Sequence, residues 1–223
     1  MIRFSLIIIT VVSVIIASTI SFIANSLFSL DTYYYSLEEF TDNILPSFTV
    51  LFFLTSAFYV PFIEEWVFRG VLRPFRWWRV IIIGIMIIIE FVNTFFIYPA
   101  LPLHISQPTT LSFFARIIFP FILLIFYATL QRALVFPHAR VNILWYGVLA
   151  TLFSLSHARI VSAAFPISVF FILVYGGVLF TYVAHKHSLR FAILLHILWN
   201  TLTFIIPFIL TLLLNNIDYQ IFM

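Results

Sequence analysis

Cysteine is absent from the chain, so neither disulfides nor thiolate metal sites can form, and the redox compartment is left open. Charge is scarce: only 9% of the 223 residues are Asp, Glu, Lys or Arg, against 64% apolar and 20% aromatic. A soluble domain of this length needs far more charge to cover its surface, so the excess apolar surface must face lipid. The net charge of +3, from eleven basic and eight acidic residues, is small. There is no internal repeat, low-complexity tract or extramembrane domain. These absences predict a single all-α integral membrane domain over 1–223, a polytopic helix bundle, with the lipid bilayer as its first partner and no nucleic acid.

A spanning helix needs about 20 mostly apolar residues, at about 1.5 Å each against about 30 Å of hydrocarbon. About seven runs meet that need: roughly 4–28, 47–68, 80–99, 113–136, 142–163, 166–184 and 190–214. Pro120, Pro166 and Pro207 fall within or near these runs, where they kink membrane helices without ending them. Arg3 ahead of a long apolar run resembles a signal peptide. The run exceeds the roughly 7–15 residues of a cleaved segment, so an uncleaved first span is expected.

Basic residues in short loops set the orientation. The connection after the first run holds Asp31, Glu38, Glu39 and Asp42 and no Lys or Arg. The next holds Arg69, Arg73, Arg76 and Arg79, and later turns hold Arg132, Arg140, Lys186 and Arg190. All of these, with Arg3, fall on one face, which is expected to be cytoplasmic with the N-terminus. Arg116 and Arg159 fall toward the other side and do not fit the rule.

Ionisable groups inside hydrocarbon are costly and therefore rare unless they pair or serve a function. Three groups stand out. In Pro61-Phe62-Ile63-Glu64-Glu65-Trp66-Val67-Phe68-Arg69-Gly70, Glu65 and Arg69 are one helical turn apart with the carboxylate first, the favourable order for an ion pair. Adjacent helical residues point about 100° apart, so Glu64 must face something else. A carboxylate beside another in an apolar site suits general acid/base work, although a juxtamembrane ion pair reads equally well. The second group is Phe153-Ser154-Leu155-Ser156-His157, whose histidine is either functional or an interhelical contact. The third is His196-Ile197-Leu198-Trp199-Asn200. Its histidine and asparagine share a helix face and can either hold an oxyanion or act as polar glue between helices. Together, a carboxylate base, a histidine and two donors are the parts that amide hydrolysis by water requires. Glu90 and Asn93 form a further buried polar pair, read as helix packing or a gate.

These stretches resemble the motifs of the CPBP family, the CAAX proteases and bacteriocin-processing enzymes: Glu-Glu-x-x-x-Arg, Phe-x-x-x-His and His-x-x-x-Asn, in the family's order. The continuation Phe68-Arg69-Gly70, and the run from Gly176-Gly177 through His187-Ser188-Leu189 to His196, are similar to the family's flanks. The resemblance covers about 58–75 and 142–203, inside a core of about 47–75 and 142–214. It implies a glutamate intramembrane endopeptidase with no cofactor or metal, acting on a peptide or membrane-protein substrate. By the same resemblance Glu64 activates water with His157, Glu65 and Arg69 support the first helix, and His196 and Asn200 form the oxyanion hole. The chain departs from many relatives in one respect: about 90 residues separate Arg69 from His157, and they hold an extra two-span hairpin at about 80–136.

Three other readings remain. A zinc hydrolase needs three protein ligands, which His157, His196 and a glutamate could supply, but no His-Glu-x-x-His occurs. A non-catalytic immunity or binding protein of the same fold has no need of all five residues Glu64, Arg69, His157, His196 and Asn200. A proton-coupled transporter would show paired repeats with broken helices. A prokaryotic inner membrane is the expected location. The sequence leaves open the substrate, its cleavage site, any prenylated tail and the oligomeric state.

Overall fold

The computed structural model describes residues 4–16, 53–97, 110–135, 139–157 and 167–221, and every regular element among them is helical. In chain order the longer α-helices are α1 (Phe4–Ile16), α2 (Val60–Arg69), α3 (Trp77–Val92), α4 (Phe119–Leu130), α5 (Ala139–Ser156), α6 (Ile167–Lys186) and α7 (Leu189–Ile221), with a single turn at Thr110–Phe113 before α4. Each expected apolar run carries one of them. Two stretches, Trp77–Phe96 and Ala139–Ser156, are long and apolar enough to cross a membrane. Phe4–Ile16, Phe114–Leu130, Phe170–Lys186 and Leu189–Thr203 are apolar but shorter. Arg3, Arg159 and the acidic residues Asp31, Glu38, Glu39 and Asp42 lie outside the described residues.

Three helices contain a widened π turn: Thr55–Tyr59 ahead of α2, Asn93–Ile97 after α3, and Phe114–Ile118 ahead of α4. Each ends two residues before a proline in the sequence, namely Pro61, Pro99 and Pro120. Proline has no N–H, and its ring presses on the carbonyl four residues earlier. At Pro61 and Pro120, widening the preceding turn moves that carbonyl aside and lets the helix continue, an adjustment that apolar helices use.

The chain divides into two compact units, one of Phe62–Ile193 and one of Met1–Pro61 with Leu194–Met223. The core of the first is built on Phe68, Ile83, Tyr127, Leu149 and Phe153, all nearly inaccessible. Here α6 packs along α5, and α3 packs against α4. The α5–α6 contact is close because Gly177 has no side chain: a Cβ there would lie 2.8 Å from the Ala150 Cα. A Cβ at Gly70 would lie 2.9 Å from Ile83, so the turn Gly70–Leu72 is similarly tight against α3.

α3 shows how little of this unit suits water on its flanks. Ile83, Ile87 and Glu90 recur at helical spacing on its buried face. Ile81 and Ile88, on another face, are 62% and 63% exposed, with Ile85 and Val92 beside them. A helix apolar on both faces suits an apolar medium or an apolar partner on the outer one.

One end of this unit gathers its cations. Arg73 donates to the Ala184 carbonyl at 2.9 Å and the His185 carbonyl at 3.3 Å, closing the C-terminal end of α6. At the same end the Tyr127 hydroxyl donates to the Pro74 carbonyl (3.0 Å), and the Leu134 N–H donates to the Val71 carbonyl (3.0 Å). Arg79, Arg132, Arg140, Lys186 and Arg190 all stand at the helix termini that meet there.

In the other unit, the Val60 N–H donates to the Thr55 carbonyl across the π turn. The next bond in that series would reach the Ser56 carbonyl from residue 61, which is proline and has no hydrogen to give. Asn200 of α7 supplies it instead, its Nδ2 donating to the Ser56 carbonyl at 2.9 Å.

Candidate functional site

α2 carries two adjacent carboxylates into buried surroundings, and the chain gives each its own cation. Glu65 accepts from Arg69 one turn later, Oε1 to Nη1 at 2.5 Å, with both side chains fully inaccessible. An isolated guanidinium could not stay there. Arg69 also donates through Nε to Thr181 Oγ1 (3.2 Å) and through Nη2 to the Gly177 carbonyl (3.4 Å). Its cation lies 4.7 Å from the Phe153 ring centroid and 5.7 Å from that of Phe180. Arg69 thus binds α2 to α5 and α6.

Glu64 turns to a different set. His157, at the C-terminal end of α5, brings Nε2 to 3.6 Å from Glu64 Oε1. Behind the ring, Nδ1 is 2.8 Å from the Phe153 carbonyl and 3.2 Å from Ser156 Oγ, and because a carbonyl can only accept, the first contact is a hydrogen bond in the tautomer with its proton on Nδ1. In the neutral ring Nε2 is then an acceptor aimed toward a carboxylate. Phe153 holds both halves of this arrangement. Its ring meets His157 at 4.7 Å and Phe68 at 5.6 Å, edge to face in each case, and its other neighbour is the Arg69 cation.

A third element enters the site from the extra hairpin. Arg116, in the π turn Phe114–Ile118, is buried and spreads its guanidinium over three helices. Nη1 donates to Glu90 Oε1 of α3 at 2.5 Å, and Nη2 reaches Glu64 Oε1 of α2 at 3.4 Å. Nε donates to the Ser156 carbonyl, beside His157, at 2.9 Å. Thr94 adds a contact to Glu90 at 3.5 Å. Sequence reasoning missed this partnership. It treated Arg116 as a charge on the wrong side of the membrane and grouped Glu90 with Asn93. The available signal was that Glu90 and Arg116 are opposite charges in the two consecutive apolar runs of one hairpin. Neither can stand alone in such a setting.

His196 and Asn200 belong to the other unit. His196 is buried, and Asn200 is partly buried, with one amide hydrogen committed to the Ser56 carbonyl. That bond is the helix-to-helix contact that an asparagine in an apolar helix often makes. Among the described residues no three His, Asp or Glu side chains converge to hold a metal ion.

The site of the larger unit is therefore a buried cluster of two ion-paired networks. One joins Glu65 and Arg69 to Thr181 and the Gly177 carbonyl. The other joins Glu64, Glu90, Arg116 and His157, and in it a carboxylate oxygen and an imidazole nitrogen face each other. Set beside protein-family models, curated proteins and solved structures, the chain matches none of them.

Proposed function

We propose that this protein is a glutamate-type intramembrane endopeptidase in a polytopic bundle of about seven spans, with Glu64 as the base that activates water. The observation that carries the reading is the Glu64–His157 pair. Nδ1 of His157 is held by the Phe153 carbonyl, so Nε2 and Glu64 Oε1, 3.6 Å apart, present two acceptors to one point. A water molecule donating to both is oriented and ready to lose a proton to the carboxylate. Its oxygen then attacks the peptide carbonyl, and the proton passes to the departing amide nitrogen as the C–N bond breaks. The His-x-x-x-Asn resemblance also implies oxyanion donors at His196 and Asn200, which belong to the other unit. The three-motif resemblance to the CPBP family and the outward apolar faces of α3 support the same reading. The membrane is proposed to be a prokaryotic inner membrane.

The test compares new protein termini in membranes of three strains of the source organism: wild type, deletion and Glu64→Gln. Termini present only in wild type would establish the peptidase and identify its substrate. If Glu64→Gln restores everything the deletion loses, the reading fails. A second reading is favoured by one observation: Glu64 also accepts from Arg116 at 3.4 Å, a contact that a purely structural ion cluster would contain. In that case the protein binds or protects without catalysis, and Glu64→Gln would act through stability alone.

A further inference from the structure

The Arg116 guanidinium serves two carboxylates unequally, and the inequality has a structural cause. Glu90 Oε1 lies 2.5 Å from Nη1, whereas Glu64 Oε1 lies 3.4 Å from Nη2. The group is planar and its donors point in fixed directions. Nε is anchored at the Ser156 carbonyl (2.9 Å), so the remaining freedom is a small swing between the two acids. Glu90 wins that contest. It sits at the last turn of α3 and receives a second contact from Thr94 at 3.5 Å, which fixes the carboxylate it offers. All three charged side chains are buried, so water cannot replace a lost partner cheaply.

We infer that Glu90 is a positioning residue that keeps the Arg116–Glu64 contact long, so that Glu64 faces His157 as well as the guanidinium. The Glu64 oxygen that lies 3.6 Å from His157 Nε2 already takes the long 3.4 Å contact from Nη2, and a shorter, two-pronged salt bridge from Arg116 would engage the whole carboxylate. It would also turn the carboxylate away from the point where a water touches both. The extra hairpin thereby becomes part of the machinery: α3 brings the anchor, and the π turn before α4 brings the cation. The consequence for cleavage rests on the peptidase reading. The competition for Arg116 does not.

The experiment is therefore built on both levels. Thermal unfolding in detergent is measured for wild type, Glu64→Gln, Arg116→Gln and their double variant, and the same cycle is repeated in a Glu90→Gln background. The expected result is a coupling between positions 64 and 116 that is weak in the parent and clearly larger once Glu90 is Gln. Coupling that is unchanged or smaller without Glu90 overturns the proposal. Should Arg116→Gln fail to accumulate, Arg116→Lys replaces it in both cycles, keeping the charge while losing the fixed fork.

The second level counts Glu64-dependent termini in a Glu90→Gln strain at matched protein level. A loss on the order of a hundredfold is expected, the scale of a misplacement of about 1 Å at a reacting group. Full cleavage by Glu90→Gln despite increased coupling rejects the positioning role in catalysis. If wild type itself yields no Glu64-dependent termini, the peptidase reading falls while the coupling result still stands or fails by itself.

Discussion

Gly177 lies so close to Ala150 that a Cβ on the glycine would come within 2.8 Å of the Ala150 Cα and 2.9 Å of its Cβ. The same glycine's carbonyl accepts from Arg69 Nη2 (3.4 Å) and from Thr181 Oγ1 (2.6 Å). Helix contact and buried-charge anchoring therefore meet at one residue.

Gly177→Ala should force α6 away from α5 and loosen the Arg69 anchor, destabilising the protein by about 1–3 kcal/mol in detergent unfolding. Gly147, on α5, is the control, because a Cβ there meets nothing within 4 Å. Gly147→Ala should be neutral or stabilising by up to about 1 kcal/mol, the helix preference for alanine. Equal effects from both would show that the short Gly177 contact does not govern the packing.

Arg69→Ala leaves Glu65 buried without its cation, a change that costs about 3–5 kcal/mol when one partner of a buried pair is removed. Arg69→Lys keeps the charge but not the simultaneous reach to Glu65, Thr181 and the Gly177 carbonyl, so it should recover only part of the loss. The measurement is the midpoint of thermal unfolding. An unchanged midpoint for Arg69→Ala would contradict the anchoring role.

Asn200→Ala removes the donor that serves the Ser56 carbonyl and should cost about 1–3 kcal/mol if no water replaces it. Pro61→Ala restores an N–H at the position that lacks one. The double variant should therefore be less destabilised than Asn200→Ala alone relative to its own parent. Strict additivity of the two changes would show that Asn200 does not stand in for the missing proline hydrogen.

Because the chain has no cysteine, a single introduced thiol reports its own side of the membrane. Arg132 and Thr110 are exposed, one beyond each end of the stretch that holds α4. Arg132→Cys should react with an impermeant maleimide only after permeabilisation, and Thr110→Cys in intact cells. The reverse pattern would invert the orientation drawn from the arginines.

Hydropathy made the helices legible, since each apolar run carries one, and the one-turn spacing of Glu65 and Arg69 made their ion pair legible. The direction of Glu64 was half legible: the 100° step between neighbours requires a different partner, but not which one. Arg116 lies 52 residues away and reaches Glu64 through a hairpin whose packing no local pattern encodes. The π turns escaped for another reason. A π turn differs from an α turn by a single residue, which hydropathy averages away, although the prolines at 61, 99 and 120 mark all three. The Asn200 contact was legible only as one of two possibilities, because the orphaned Ser56 carbonyl is visible only once the π turn is known.

The α3–α4 hairpin is fastened at both extremities. At one, Tyr127 and Leu134 bond to the Pro74 and Val71 carbonyls. At the other, Arg116 binds Glu90 within the hairpin, and Glu64 and the Ser156 carbonyl beyond it. Lifting the hairpin away would unseat a buried guanidinium and strip α5 of its terminal bond in the same movement, so its two helices and the end of α5 are expected to open together or not at all.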